Sequence, residues 1–362
     1  MEKLKVLQVI PSFGVGGAEK LVLDYLTYFD KEKVDIKAIS MYGNKNTIYD
    51  DFIRDKGLNV VYLDKKPGVD LSMVLKMKKI IKEFKPDIIH SHMNSMKYII
   101  YSVINNKQVK MFHTLHNEPE KDAKGLDKYF NKFSFKYLNC IPIALTDELA
   151  TKVNSYYGLE SAIVVNNGIN LDKFKNEKED KKHIRRSLNL PPDSFIVGHV
   201  GRFMGQKNHE FIIDVFKKVV NVKKDSLLIL VGEGELKRDI EEKVIALGLS
   251  DKVKFLGLRK DIPELLKSFD AFLFPSFHEG YPITLIEAQA AGVRCVISNS
   301  IDSRCVLSND TISVSLEATP EEWCDVIIDE NIKGTPTDTI ESFDIKGVVK
   351  QLEKLYRIEL EK

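Results

Sequence analysis

Short apolar runs recur along the chain, each closed by a glycine, a proline or a polar turn. Each is followed by a longer stretch whose apolar residues fall three and four apart. In the first half such runs occupy residues 4–10, 34–41, 58–63, 87–91, 109–114, 140–145 and 162–165. In the second half they occupy 195–201, 227–231, 253–257, 270–274 and 293–298. Runs of this length predict buried strands, and the intervening 3.6-residue periodicity predicts helices. Helices are expected over 18–30, 71–84, one ending over 99–105, 126–137, from 209, after Asp261 as a cap, over 283–290, from Thr319 as a cap, and over 344–360. Regular alternation of strand and helix predicts an α/β protein with parallel sheets covered on both faces. The last helix carries Val348, Leu352 and Leu355 on one face and so needs a partner.

A chain of 362 residues is long for one core and natural for two. The charged stretch 173–186 and the Pro191-Pro192 pair divide it. The expected domains are 1–172, joined by the returning helix at about 345–362, and 173–344. Hydrophobic residues make up 43% and the net charge is +1, so bulk charge gives no reason to expect nucleic acid. Cys140, Cys295, Cys305 and Cys324 form no C-x-x-C pair, which argues against a zinc or redox motif and for a reducing, cytoplasmic setting. No apolar run approaches the ~20 residues of a membrane span, and no secretory leader is evident. Locally, residues 65–136 hold 15 lysines against 7 acidic residues. That excess could meet an anionic lipid surface, although a solvated face is an equally good reading. Tyr129, Phe130, Phe133 and Tyr137 recur at helical spacing there and are expected to be core.

The chemistry centres on Phe274-Pro-Ser-Phe-His-Glu-Gly-Tyr-Pro-Ile-Thr-Leu-Ile-Glu287. A strand ends, Gly280 and Pro282 turn the chain, and a helix opens with Ile283, Ile286 and Ala290 expected on its apolar side. Glu279 stands on the turn and Glu287 inside the helix. Ligands of open α/β sheets bind at the carboxyl ends of strands, and a helix N-terminus suits a phosphate. The amides of Tyr281, Ile283 and Thr284 are therefore candidate anion donors. A second candidate loop is Gly201-Arg202-Phe-Met-Gly-Gln-Lys207-Asn208, where two cations after a strand can clamp a diphosphate. The glycine loop Gly14-Val-Gly16-Gly17-Ala18-Glu19 lacks the last glycine of a dinucleotide fingerprint, and the next strand ends without an acid. An NAD-dependent oxidoreductase is therefore disfavoured.

Glu279-Gly-Tyr-Pro-Ile-Thr-Leu-Ile-Glu287 resembles the E-x₇-E motif of retaining glycosyltransferases of the GT-B fold, closest to glycosyltransferase family 4. Gly201-Arg202 through Lys207-Asn208 is similar to that family's donor-phosphate loop, Gly16-Gly17-Ala18-Glu19 to its N-terminal loop, and Asn166-Asn-Gly-Ile-Asn170 to its domain junction. The resemblance runs over about residues 4–360. It implies two Rossmann-like domains facing an interdomain cleft, with the C-terminal helix crossing back to the first. It further implies a hexosyltransferase using a nucleotide sugar, expected to be UDP-linked, and a glycan or lipid-linked glycan acceptor of bacterial polysaccharide assembly. Catalytic roles would fall to Glu279, His116, Arg202 and Lys207. The donor would be bound by Gly16, Gly17, Arg202, Lys207, Glu279, Gly280, Tyr281, Ile283, Thr284 and Glu287, with Glu287 on the ribose. Thr114-Leu-His116 resembles the family's active-site histidine. Strand alternation alone does not separate His116 from His113, and His116 is preferred for lying past the strand end. His90 and His92 are expected to be structural or rim residues. No D-x-D occurs, so no metal or other cofactor is expected and the cations would carry the leaving group. Two other readings remain open: a GT-B epimerase or hydrolase of nucleotide sugars, and a catalytically silent binding protein.

Overall fold

The computed structural model describes residues 2–103, 109–123, 125–174, 180–329 and 338–362. The middle of the charged stretch, 175–179, and the expected end of a helix at Asn105 lie outside them. The chain divides into two units, 1–168 with 343–362, and 169–342. The break between Gly168 and Ile169 falls inside the Asn166-Asn-Gly-Ile-Asn170 segment.

The first unit is built on a seven-stranded sheet. Its strands are β1 (Leu4–Ile10), β2 (Val34–Ser40), β3 (Val60–Tyr62), β4 (Ile88–His92), β5 (Lys110–Leu115), β6 (Ile141–Ala144) and β7 (Ile163–Val164). All pairings are parallel, in the order β3-β2-β1-β4-β5-β6-β7. The second unit has six: β8 (Phe195–Val200), β9 (Ser226–Val231), β10 (Val253–Phe255), β11 (Ala271–Phe274), β12 (Arg294–Ser298) and β13 (Thr311–Val314). They too are parallel, ordered β10-β9-β8-β11-β12-β13. Both orders reverse direction beside the first strand of the unit, at β1/β4 and at β8/β11. That reversal is where an open α/β sheet leaves a crevice at its carboxyl edge.

Burial explains the strand composition. All six residues of β9 and all four of β11 are buried, as expected where helices cover both faces. The terminal helix, Ile345–Glu361, completes the first unit. Its Ile345, Val348, Val349, Leu352 and Tyr356 join the core formed by β1, β2 and the Gly17–Tyr28 helix. The approach is close at one point: a Cβ on Gly168 would lie 2.7 Å from the Ile345 Cα. The four cysteines are buried and unpaired.

Three expectations need correction. Tyr129, Phe133 and Tyr137 are exposed, at 65%, 42% and 71%. The Asp127–Tyr137 helix buries Asn131, Ser134 and Phe135 instead, so the aromatic stripe faces outward. The Ile283–Ala290 helix buries Leu285, Ile286, Ala288 and Gln289, while Ile283 and Ala290 are only partly covered. Asp261 does not cap the helix it precedes; its carboxylate is held by Arg259, with Nε 2.8 Å from Oδ1. Thr319 does cap, in a reciprocal box with Glu322.

Candidate functional site

In the second unit, the loops after β8 and β11 leave neighbouring strands at the same carboxyl edge. A tight approach makes room for the first: a Cβ on Gly232, at the end of β9, would lie 2.1 Å from the Gly201 carbonyl oxygen, and its φ is +142°. Only glycine fits that place. The β8 loop ends in a short turn, Gly205–Lys207, and Asn208 takes a φ of 56° to enter the His209–Val222 helix. The β11 loop is fastened to it along its length. The Phe277 N–H donates to the Gln206 carbonyl at 2.9 Å, and Asn208 Nδ2 donates to the Pro275 carbonyl at 3.2 Å. From the other side, the Ser298 and Ser300 hydroxyls both donate to the Ser276 carbonyl, at 2.6 and 2.8 Å.

This fastening brings two of the expected site residues into contact. Lys207 Nζ lies 2.6 Å from Glu279 Oε1, with side-chain exposures of only 15% and 8%. The ammonium also lies 4.9 Å from the centre of the Phe274 ring. Gln206 engages the other carboxylate oxygen: its Nε2 is 3.2 Å from Glu279 Oε2 and 2.7 Å from the His278 carbonyl. Gln206 carries no sequence signal beyond adjacency to Lys207. Gly280 and Tyr281 continue the turn, half-covered. The helix then opens at Ile283 with no acid in its first turn. The Leu285 and Ile286 amides fold back on the Pro282 carbonyl, which leaves the Ile283 and Thr284 amides at the helix end. Glu287 follows one turn on, half-buried. Arg202 is not gathered in. Its side chain is 65% exposed and, among the described residues, reaches only Glu235, at 3.4 Å. A cluster of one buried carboxylate, one buried ammonium and a helix N-terminus can hold an anion and an attached hydroxylated group.

In the first unit, the Gly14–Gly17 loop closes β1, with Gly16 as the extended N-cap of the Gly17–Tyr28 helix. A Cβ on Gly16 would lie 2.6 Å from a Glu19 carboxylate oxygen, so the helix's first turn folds over the loop. Next to it, β4 and β5 end in four buried histidines, and the structure separates His113 from His116. His113 lies within β5, fully buried, 2.7 Å from the Ser91 hydroxyl and 3.4 Å from Asn131 Nδ2. His116 lies one residue past β5 and is 9% exposed; its Nε2 is 3.1 Å from His92 Nδ1. His92 Nε2 is in turn 2.8 Å from Gln8 Oε1. His90 bridges the Tyr356 hydroxyl at 2.6 Å and the Thr114 hydroxyl at 2.7 Å, and stacks on His92 with ring centres 4.4 Å apart. Burial pushes these imidazoles toward the neutral form: His116 falls to about 4 and His113 to about 3. Asp122, whose carboxylate accepts the His116 backbone N–H, is pushed up to about 7 by burial. Among the described residues, no group of three or more His, Cys, Asp or Glu is placed to hold a metal ion.

Comparison with known proteins covers both units. Residues 15–173 match the model of Glycosyltransferase Family 4, and residues 180–322 that of Glycosyl transferases group 1. Among curated relatives, the glycosyltransferase EpsF of Bacillus subtilis is 29% identical over 92% of this chain and 89% of its own length. The Escherichia coli UDP-Gal:alpha-D-GlcNAc-diphosphoundecaprenol alpha-1,3-galactosyltransferase is 28% identical over 85% and 82%. Among solved structures, Anabaena HepE in complex with UDP and glucose superposes with a TM-score of 0.79 at 19% identity, over 97% of this chain and 99% of that one.

Proposed function

This chain is a glycosyltransferase of the GT-B fold, similar to family 4, and from that premise we propose which transfer it carries out. It moves a hexose from a UDP-linked donor to a glycan or lipid-linked glycan acceptor, with retention at the anomeric carbon and without a metal ion. The observation that carries this reading is the Lys207–Glu279 pair at the β8/β11 reversal. The donor's diphosphate sits between Lys207 and the Ile283 helix end, and the transferred sugar meets Glu279. Glu287 holds the ribose. Arg202, exposed and weakly held, swings onto the phosphates when they arrive. Fixed cations and amides aimed at the departing diphosphate stabilise charge as it develops, a term often dominant in catalysis. They supply what a metal would otherwise supply. Retention follows a front-face course in which the leaving phosphate takes the acceptor's proton, with Glu279 held by Lys207 and Gln206.

UDP as the donor nucleotide rests on likeness: the E. coli relative is named for a UDP-galactose donor, and HepE is described with UDP and glucose. The diphospholipid in the E. coli relative's name supports a lipid-linked acceptor. So does the surface of the first unit, where the Ser72–Phe84, Met96–Val103 and Asp127–Tyr137 helices pack in succession. Leu71, Leu75, Tyr129, Phe133 and Tyr137 are exposed there among exposed lysines. Amphipathic rings and lysines together suit an anionic bilayer surface. No described helix is long and apolar enough to cross a membrane. We infer that the enzyme works at the inner, reducing face, where four unpaired buried cysteines persist.

The test is a thermal-shift screen of UDP-, GDP- and ADP-sugars, followed by transfer in EDTA with NMR of the product's anomeric proton. A UDP-sugar should stabilise the protein and give a product of the donor's configuration. Inversion, loss of activity in EDTA, or turnover only to free or epimerised sugar would overturn the corresponding part of the proposal.

A further inference from the structure

The buried histidines of the first unit form a directed chain, and its direction decides what His116 offers to a substrate. Gln8 presents its carbonyl oxygen to His92 Nε2 at 2.8 Å. A carbonyl only accepts, so His92 carries its proton on Nε2. His92 is buried and neutral, so its Nδ1 is left as a lone pair. That lone pair faces His116 Nε2 at 3.1 Å, and only a donor satisfies it. His116 therefore carries its own proton on Nε2, turned inward. Its Nδ1 has no hydrogen-bond partner among the described residues.

We propose that Gln8 and His92 are positioning residues that hold His116 as the Nε2–H tautomer, so that Nδ1 accepts a hydrogen bond from a hydroxyl of a sugar substrate. The proposal rests on the reading of His116 as the active-site histidine that Thr114-Leu-His116 resembles. It reassigns His92 from a passive core histidine to one that orients the site. It also explains why a polar residue stands in the middle of a first strand. Gln8 is fully buried in β1, between the apolar pairs Val6-Leu7 and Val9-Ile10. A neutral acceptor at His116 selects a hydroxyl donor and disfavours a group that can only accept. Tyr356 and His90 flank the chain, His90 by stacking on His92, and restrict how far the His92 ring can turn.

The experiment is long-range ¹H–¹⁵N correlation on the ¹⁵N-histidine-labelled full chain, with His116→Gln used to assign its signals. His116 should appear neutral with the proton on Nε2, and should stay so between pH 7.5 and 5.5. A proton on Nδ1 overturns the proposal, because a Gln8 amide facing the other way would reverse every donor in the chain. Gln8→Leu removes the last acceptor and should give mixed tautomers at His116, while Gln8→Glu keeps an acceptor and should restore the single one. An unchanged His116 tautomer in a folded Gln8→Leu protein also overturns it. On UDP-glucose or UDP-galactose turnover, Gln8→Leu should lower kcat about three- to tenfold, the size of one hydrogen bond, with donor KM unmoved. If Gln8→Leu mixes the tautomers while His116→Ala retains full transfer, the chain is confirmed and the sugar-contact reading alone fails.

Discussion

Disconnecting Lys207 from Glu279 gives the sharpest test of the second-unit site. At 2.6 Å, and with an effective dielectric near 20, the two charges attract by about 6 kcal/mol before desolvation is counted. Side-chain exposures of 15% and 8% mean both groups have lost most of their water, which returns much of that gain. A net coupling of about 2–3 kcal/mol remains, typical of a well-made charge-assisted hydrogen bond. Lys207→Ala leaves Glu279 with Gln206 alone, and Glu279→Ala leaves the ammonium against the Phe274 ring. Each single variant should therefore cost more than its contacts suggest, and the double variant less than their sum by that coupling. Urea unfolding of the four proteins measures it. Calorimetry with UDP then separates structure from function. Lys207→Ala should weaken UDP, while Glu279→Ala frees the ammonium for phosphate and should leave UDP as tight or tighter. A coupling below about 0.5 kcal/mol would show an exchanging surface contact. Equal loss of UDP affinity in both singles would show that Lys207 does not change partners.

Glu287→Ala should weaken UDP by about 1.5–3 kcal/mol, the value of a hydrogen bond to a charged group, and unchanged affinity in calorimetry would remove the ribose role. Acid should unfold the first unit partly through His116. Its folded value lies near 4 against an ordinary 6.5, so the unfolded chain takes the proton first. The stability is intact above about 6.5 and is lost as pH falls toward about 4, roughly 1.4 kcal/mol per pH unit, or about 3 kcal/mol in all. Asp122 works in the opposite sense between about 7 and its ordinary 3.8, so the comparison must be wild type against His116→Gln; parallel pH slopes would refute the His116 contribution. Vesicles with a third anionic lipid should sediment the wild-type protein, and Tyr129→Ser, Phe133→Ser and Tyr137→Ser together should reduce that by at least tenfold at unchanged melting temperature. Equal sedimentation would return the outward stripe to an ordinary solvated face.

The strand-and-helix order is readable because fully buried parallel strands leave unmistakable apolar runs. Glu279 on a turn and Glu287 in a helix follow from the same rhythm. Their partners do not. Lys207 and Gln206 lie more than seventy residues from Glu279, and only the parallel adjacency of β8 and β11 brings them to it. The strand β13 escapes a search for apolar runs because none of its four residues is fully buried and Ile and Val alternate with Thr and Ser. The aromatic helix faces the opposite way from its expected orientation for a related reason. Helical spacing marks a stripe but not which way it faces, and here Asn131 and Ser134 are preferred inside because Asn131 reaches His113. Asp261 departs from a capping role because a carboxylate two residues from Arg259 has a better partner than a helix amide. The histidines can be placed at strand ends from sequence, but not joined, since Gln8 to His92 spans β1 and β4.

The terminal helix has a consequence for biosynthesis. The first unit's core lacks Ile345, Val348, Val349, Leu352 and Tyr356 until that helix exists. A ribosome working from residue 1 thus produces the second unit whole before the first is complete, and the part made first is finished last. Through the synthesis of more than 170 residues, the apolar seam that receives the helix lies open on the nascent chain. Exposed apolar surface of that kind invites chaperones and misassembly. Release of the chain before residue 345, by a premature stop, would leave the second unit attached to a first unit whose core lacks its last helix.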